Sequence, residues 1–210
     1  MTSTLELVTN GPHGARCSLV MAHGAGQGMH SDFMTCMAEG VAAAGIRVVR
    51  FEFPYMRKGR QDGRRRAPDR MPVLKACWLE ALAALARQPE HHVFIGGKSM
   101  GGRVASLIAD EVQAAGLICL GFPFHAPGRS AKGRIEHLYT LKTRALIVQG
   151  TRDAFGTPSQ VRGYELPAAI KLAWIEDGDH SLKTRARSGR TRAQALQEAV
   201  EALVAFIRGP

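Results

Sequence analysis

His92 to Arg103 reads HVFIGGKSMGGR. After His92 come valine, phenylalanine and isoleucine, which favour a strand, and the run passes through Gly97-Lys98-Ser99-Met100-Gly101 into Met100 to Ala114, where the pattern predicts a helix. A serine set between a strand and a helix in the pattern G-x-S-x-G suits a nucleophile. The small flanking residues permit a tight, strained turn that lifts Ser99 Oγ clear of the backbone, and the helix N-terminus favours negative charge developing beside it. The bare pattern also describes a glycine-rich turn with no chemistry. A phosphate-binding loop, G-x-x-x-x-G-K-S, would require glycine at position 92, which is His92, and Val93 to Ile95 read as strand where the phosphate cradle should be.

A serine hydroxyl needs a base, and after a nucleophile of this kind the chain order is Asp or Glu, then His. Ala145 to Gln149 reads as a strand, and Gly150-Thr151-Arg152-Asp153 sets a carboxylate at its carboxyl end. Ile170 to Ile175 reads as the next strand, and Glu176-Asp177-Gly178-Asp179-His180 follows it. Asp153 is therefore the acid candidate and His180 the base, with Asp177 and Asp179 as fallback acids. His125 and His137 compete for the base; His91 and His92 precede a strand at the opposite edge, and His13 sits near a turn. An oxyanion hole pairs the N–H after the nucleophile, Met100, with one from the loop His23-Gly24-Ala25-Gly26-Gln27-Gly28, where Ala25 is preferred over Gly26 and His23 reads as structural. A dinucleotide fingerprint here would need glycine at position 29, which is Met29.

Working outward, short apolar runs alternate with helical patterns and predict an α/β protein with a mostly parallel sheet and helices on both faces. The strands expected are Leu5 to Val8, Arg16 to Ala22, Arg47 to Phe53, His92 to Gly96, Gly116 to Gly121, Arg144 to Gln149 and Ile170 to Ile175. Helices are expected at Ser31 to Ala44, Met71 to Arg87, Met100 to Ala114, Pro158 to Tyr164 and Thr191 to Arg208. Two long connections, Pro54 to Arg70 and Phe122 to Thr143, follow strands and so lie at the carboxyl edge of the sheet. No repeat or low-complexity linker divides the 210 residues, which read as one domain over 1–210.

The formal charge is +10, and the excess sits in Arg57 to Arg70 (seven basic, two acidic) and Lys183 to Arg192 (five basic). Such runs usually solvate a surface; flanking one site, they would steer an anionic substrate. Neither run interleaves aromatics, which argues against nucleic acid as a partner. Cys17, Cys36, Cys77 and Cys119 form no C-x-x-C pair and read as buried free thiols, so no metal or other cofactor is expected. With no membrane-length apolar run and no signal-like start in Met1 to Asn10, a cytoplasmic protein that does not bind membrane is the expectation.

Taken together, LVMAHGAGQG, RFEFPYM, GGKSMGGR, LGFPFHAPG and LIVQGTRDAFG resemble the α/β-hydrolase superfamily over nearly the whole chain. They are similar in particular to small, cap-less predicted hydrolases related to dienelactone hydrolase. The resemblance implies a single-domain α/β-hydrolase fold without a separate lid domain, and a triad at Ser99, Asp153 and His180. Dienelactone hydrolase uses cysteine where this chain has Ser99, so its lactone substrate is not carried over. With no lid, the two long connections are expected to line the pocket, and Phe53, Pro54, Tyr55, Phe122, Phe124 and Phe155 are its candidate walls. The function expected is serine hydrolysis of an ester, thioester or related acyl bond in a small molecule. The rival is a binding or scaffold protein that keeps the fold without turnover. Oligomeric state is not read from the sequence.

Overall fold

Along the strand Cys17–Ala22, Leu19 and Met21 alternate with Val20 and Ala22, and all four are fully buried. An apolar residue at every position means that both faces are covered, which is the condition of a parallel sheet between helical layers. The computed structural model, which describes residues 5–85 and 91–209, has that architecture. Its strands are β1 (Leu7–Asn10), β2 (Cys17–Ala22), β3 (Arg47–Phe51), β4 (His92–Lys98), β5 (Gly116–Leu120), β6 (Ala145–Gly150) and β7 (Ile170–Ile175). They form one sheet in the order β1-β3-β2-β4-β5-β6-β7, with β1 antiparallel to β3 and every other pair parallel. Each expected strand is present, with its ends moved by no more than two residues.

The helices are α1 (Asp32–Ala43), α2 (Pro54–Asp62), α3 (Met71–Ala83), α4 (Met100–Ser106), α5 (Pro158–Arg162) and α6 (Arg192–Arg208). One core layer packs Val20, Phe51, Ile95, Cys119 and Ile147 against Trp78 of α3, Val104 of α4, and Phe122, Phe124 and Leu138 from the connection after β5. The other packs Leu19, Met21, Ile118, Leu120 and Val148 against Phe33 and Met37 of α1 and Leu203 and Phe206 of α6. No helix among the described residues is long and apolar enough to cross a membrane.

Four readings change. The connection 54–70 contains α2, which starts with Pro54 at its first turn and ends at Gly63 in the left-handed region (φ 69°). Tyr55 is its one buried residue, so the segment shows no apolar stripe. The helix expected to run to Ala114 ends at Ser106, whose hydroxyl bonds back to Arg103 O while Leu107 and Ile108 N–H groups tighten onto Val104 and Ala105 carbonyls. α3 stops at Ala83; the expected end at Arg87 lies outside the described residues. Among the thiols Cys77 and Cys119 are buried, Cys17 is half-buried and Cys36 is exposed.

From β2 the chain passes to β3 on one side and later to β4 on the other, so the strand order reverses between them. Ligands in open α/β sheets bind beyond the carboxyl ends of strands at such a point.

Candidate active site

Ser99 links β4 to α4 with φ 49° and ψ −115°, a conformation that costs a non-glycine residue about 1–3 kcal/mol. Its N–H donates to Leu120 O at 2.9 Å, and its carbonyl accepts from Arg103 N at 3.0 Å, so the neighbouring strand and the new helix hold the turn from both sides. Gly97 and Gly101 are compulsory here. A Cβ on either would lie 2.0 Å or 2.4 Å from Ala22 O, inside the backbone of β2.

His180 stands at the carboxyl end of β7. Its Nε2 is 2.9 Å from Ser99 Oγ and its Nδ1 2.8 Å from Asp153 Oδ2, so the three side chains form one continuous hydrogen-bonded chain. Asp153 is fully buried after β6; Oδ1 accepts from Phe155 N–H at 2.9 Å, and Oδ2 also accepts from Gln149 Nε2 at 2.9 Å. Gln149 is clamped in turn, its Oε1 accepting Phe122 N–H at 2.7 Å. The Phe155 ring lies 4.4 Å from the His180 ring, centroid to centroid.

The turn carrying His180 is tied down separately. Asp179 Oδ1 accepts from the N–H groups of Ser181 (2.8 Å) and Lys183 (2.9 Å). Asp177 pairs with Arg185 and Arg152, and the hydrogen bond from Arg185 holds its carboxyl well below the usual carboxylate range. Lys98 Nζ donates to His180 O from beneath, with the Phe33 ring 5.6 Å away. Burial pushes the Lys98 ammonium down to about 8, although Asp153 and Asp179 pull the other way.

The competing histidines are engaged elsewhere. His137 bonds Ser106 Oγ at 2.8 Å, and burial, with Arg103 nearby, pushes it down to about 4. His125 is buried against Ala126 O. His23 donates from Nδ1 to Gly24 O (2.7 Å) and accepts Phe53 N–H at Nε2 (3.1 Å), a neutral tautomer that burial favours.

A cavity of about 310 Å³ opens over Ser99, bordered by Ala25, Gly26, Phe33, Met34, Lys98, Phe155 and His180. Met100 opens α4, so its N–H belongs to the first turn, where no intrahelical acceptor exists. The geometry suits addition to a carbonyl: a serine hydroxyl on a strained turn meets an imidazole whose other nitrogen faces a buried carboxylate, and a helix N-terminus stands beside it. Among the described residues no three His, Cys, Asp or Glu side chains gather at metal-binding spacing. A family model described as an alpha/beta hydrolase domain matches residues 15–208. The chain belongs to the alpha/beta hydrolase family.

Solved alpha/beta hydrolases share this fold at low identity. An alpha-beta serine hydrolase homologue from Coxiella burnetii is 21% identical, with 95% of this chain and 90% of that one covered and a TM-score of 0.67. An a/b serine hydrolase without lid from Xanthomonas campestris is 20% identical (98% and 91% covered, TM-score 0.68). A dienelactone hydrolase from Anabaena variabilis is 20% identical (94% and 89% covered, TM-score 0.72).

Within this hydrolase the expected pocket walls divide. Phe155 lines the cavity. Phe53, Phe122 and Phe124 do not: all three are completely buried in the core layer under the sheet, where the large apolar area of an aromatic ring is better spent. Tyr55 donates to Gly24 O (3.3 Å) and Ala25 O (3.0 Å), bracing the Ala25 loop from behind, and Pro54 opens α2 beside it. Sequence reasoning missed Phe33 and Met34, which sit on α1 and read as plain core. It also missed Gln149, whose signal was an amide at the end of the apolar run Ala145 to Val148.

Proposed function

We propose that this alpha/beta hydrolase cleaves an ester, thioester or related acyl bond of a small molecule through Ser99, His180 and Asp153. The observation that carries the reading is the unbroken chain from Ser99 Oγ through His180 to the buried Asp153, with links of 2.9 Å and 2.8 Å. Ser99 Oγ attacks the carbonyl carbon while His180 Nε2 takes its proton, and Asp153 stabilises the resulting imidazolium. The N–H groups of Met100 and Ala25 receive the developing oxyanion. Collapse expels the alkoxide or thiolate, protonated by His180, and leaves an acyl-Ser99 ester. Water, deprotonated by His180, adds to that ester; the second collapse releases the acid and returns the proton to Ser99.

A fluorophosphonate probe separates this reading from a scaffold that keeps the fold without turnover. The wild-type chain is expected to be labelled on Ser99 and to hydrolyse p-nitrophenyl esters, and Ser99→Ala to do neither while keeping its circular dichroism. Undiminished hydrolysis by Ser99→Ala would sink the assignment.

A further inference from the structure

Behind the Ala25 loop lies a second and larger cavity of about 690 Å³. It shares Ala25, Gly26, Gln27 and Ser31 with the cavity over Ser99, so the two chambers adjoin along that loop and the start of α1. Its far wall is α2 and the turn that follows, and the charged side chains on it are Arg60, Arg64, Arg65, Arg66, Glu52 and His30. Most of that charge is already matched. Arg60 pairs with Glu52 at 3.0 Å and with Glu6 at 2.6 Å, and Arg66 pairs with Asp62. The nearby Asp69 carboxylate is taken up by Tyr55 N–H at 2.9 Å. Arg64 and Arg65 have no carboxylate partner among the described residues.

The turn that presents them is built. Gly63 closes α2 in the left-handed region, and Arg64 N–H donates to Gly59 O and to Asp62 Oδ1, both at 3.1 Å. Arg64 and Arg65, both exposed, thus border this chamber on a hydrogen-bonded turn with no carboxylate to neutralise them, a setting that suits negative charge. The second basic run is spent differently: Arg185 is bound to Asp177 and Arg190 to Glu198, and no residue of Lys183 to Arg192 borders either chamber.

We propose that Arg64 and Arg65 form an anion subsite, so that the preferred substrate is an acyl compound with a carboxylate or phosphate several bonds from the scissile carbonyl. This rests on the serine-hydrolase reading above. The carbonyl sits over Ser99, the connecting chain passes the Ala25–Gln27 edge, and the anion docks on the Arg64–Arg65 turn.

The test compares p-nitrophenyl hemiesters of glutaric and adipic acid with their methyl-capped neutral diesters, alongside an ester with a terminal phosphate. At low salt kcat/KM is expected to favour the anionic esters by about tenfold or more, the scale of a charge-assisted contact. The preference should shrink as the screening length falls from about 10 Å at 0.1 M to about 3 Å at 1 M salt. Arg64→Gln/Arg65→Gln is expected to remove it through KM and leave the neutral diesters unchanged, whereas Arg187→Gln/Arg192→Gln leaves both unchanged. The relative rates of the carboxylate and phosphate arms identify the anion. Hydrolysis of neutral esters with no anionic preference, or a preference that survives the Arg64/Arg65 double variant, overturns the subsite and leaves the hydrolase intact. Failure of every ester, with no probe labelling of Ser99, overturns both.

Discussion

Asp179 precedes His180 directly, yet the carboxylate that meets its ring is Asp153, 27 residues earlier. The difference lies in what each carboxylate faces: Asp179 bonds backbone N–H groups of its own turn, and the fully buried Asp153 faces the imidazole while Gln149 donates to it. Asp153→Asn is accordingly expected to lower kcat by about 10³–10⁴-fold, by holding the wrong tautomer. Asp179→Asn should act mainly on stability; p-nitrophenyl ester kinetics on both variants check the ranking, and the reverse order refutes it. Lys98 carries a different prediction. Its ammonium is buried, so its folded value of about 8 lies below the ordinary 10.5, and between those values the unfolded chain binds more protons. Stability from this group therefore rises with pH across that window, by up to about 3 kcal/mol from a shift of this size. Urea unfolding of wild type and Lys98→Met should show the variant relatively more stable at pH 7 than at pH 10.5; a pH-independent difference would contradict the buried charge.

At the scale of elements, the turn at Ser99 depends on the close approach of α4 to the end of β2. A methyl at Gly101 would have to displace Ala22 O or His23 O, which lie 2.4 Å and 2.6 Å from its position. Gly101→Ala should therefore lower thermal stability and esterase activity together. α6 offers a contrast. Thr191 caps it through a reciprocal pair with Gln194, far from the chemistry. Thr191→Ala should cost about 1 kcal/mol in urea unfolding and leave kcat/KM alone. α2 had its terminal signals in view, Pro54 at its first turn and Gly63 past its end, but with one buried side chain it lacked the periodicity by which helices are read.

At the scale of the whole molecule, one sheet separates two core layers. Trp78 and Trp174, the two tryptophans of the chain, both pack in the first, and Leu203, fully buried on α6, belongs to the second. If residues 1–210 fold as one cooperative domain, Leu203→Ala should destabilise by about 2–5 kcal/mol. It should also shift the tryptophan fluorescence and circular dichroism transitions by the same amount, although both tryptophans pack on the opposite face of the sheet. Separate midpoints would refute a single unit.

Much of this architecture was legible because it follows from local chemistry. Unbroken apolar runs dictated a sheet covered on both faces, and G-x-S-x-G between strand and helix dictated where Ser99 would stand. Chain order with strand-end position singled out Asp153 and His180. What each loop covers depends on distant partners. Phe53 and Phe155 each follow a strand closely or stand in a strand-end loop, and only packing sends one into the core and the other against His180. The two basic runs likewise read alike along the chain. Tertiary contacts matched Arg185 and Arg190 with carboxylates and left Arg64 and Arg65 facing a chamber. Backbone preference and burial periodicity act between near neighbours in sequence, whereas pocket shape and charge pairing are settled by groups that meet only when the chain is folded.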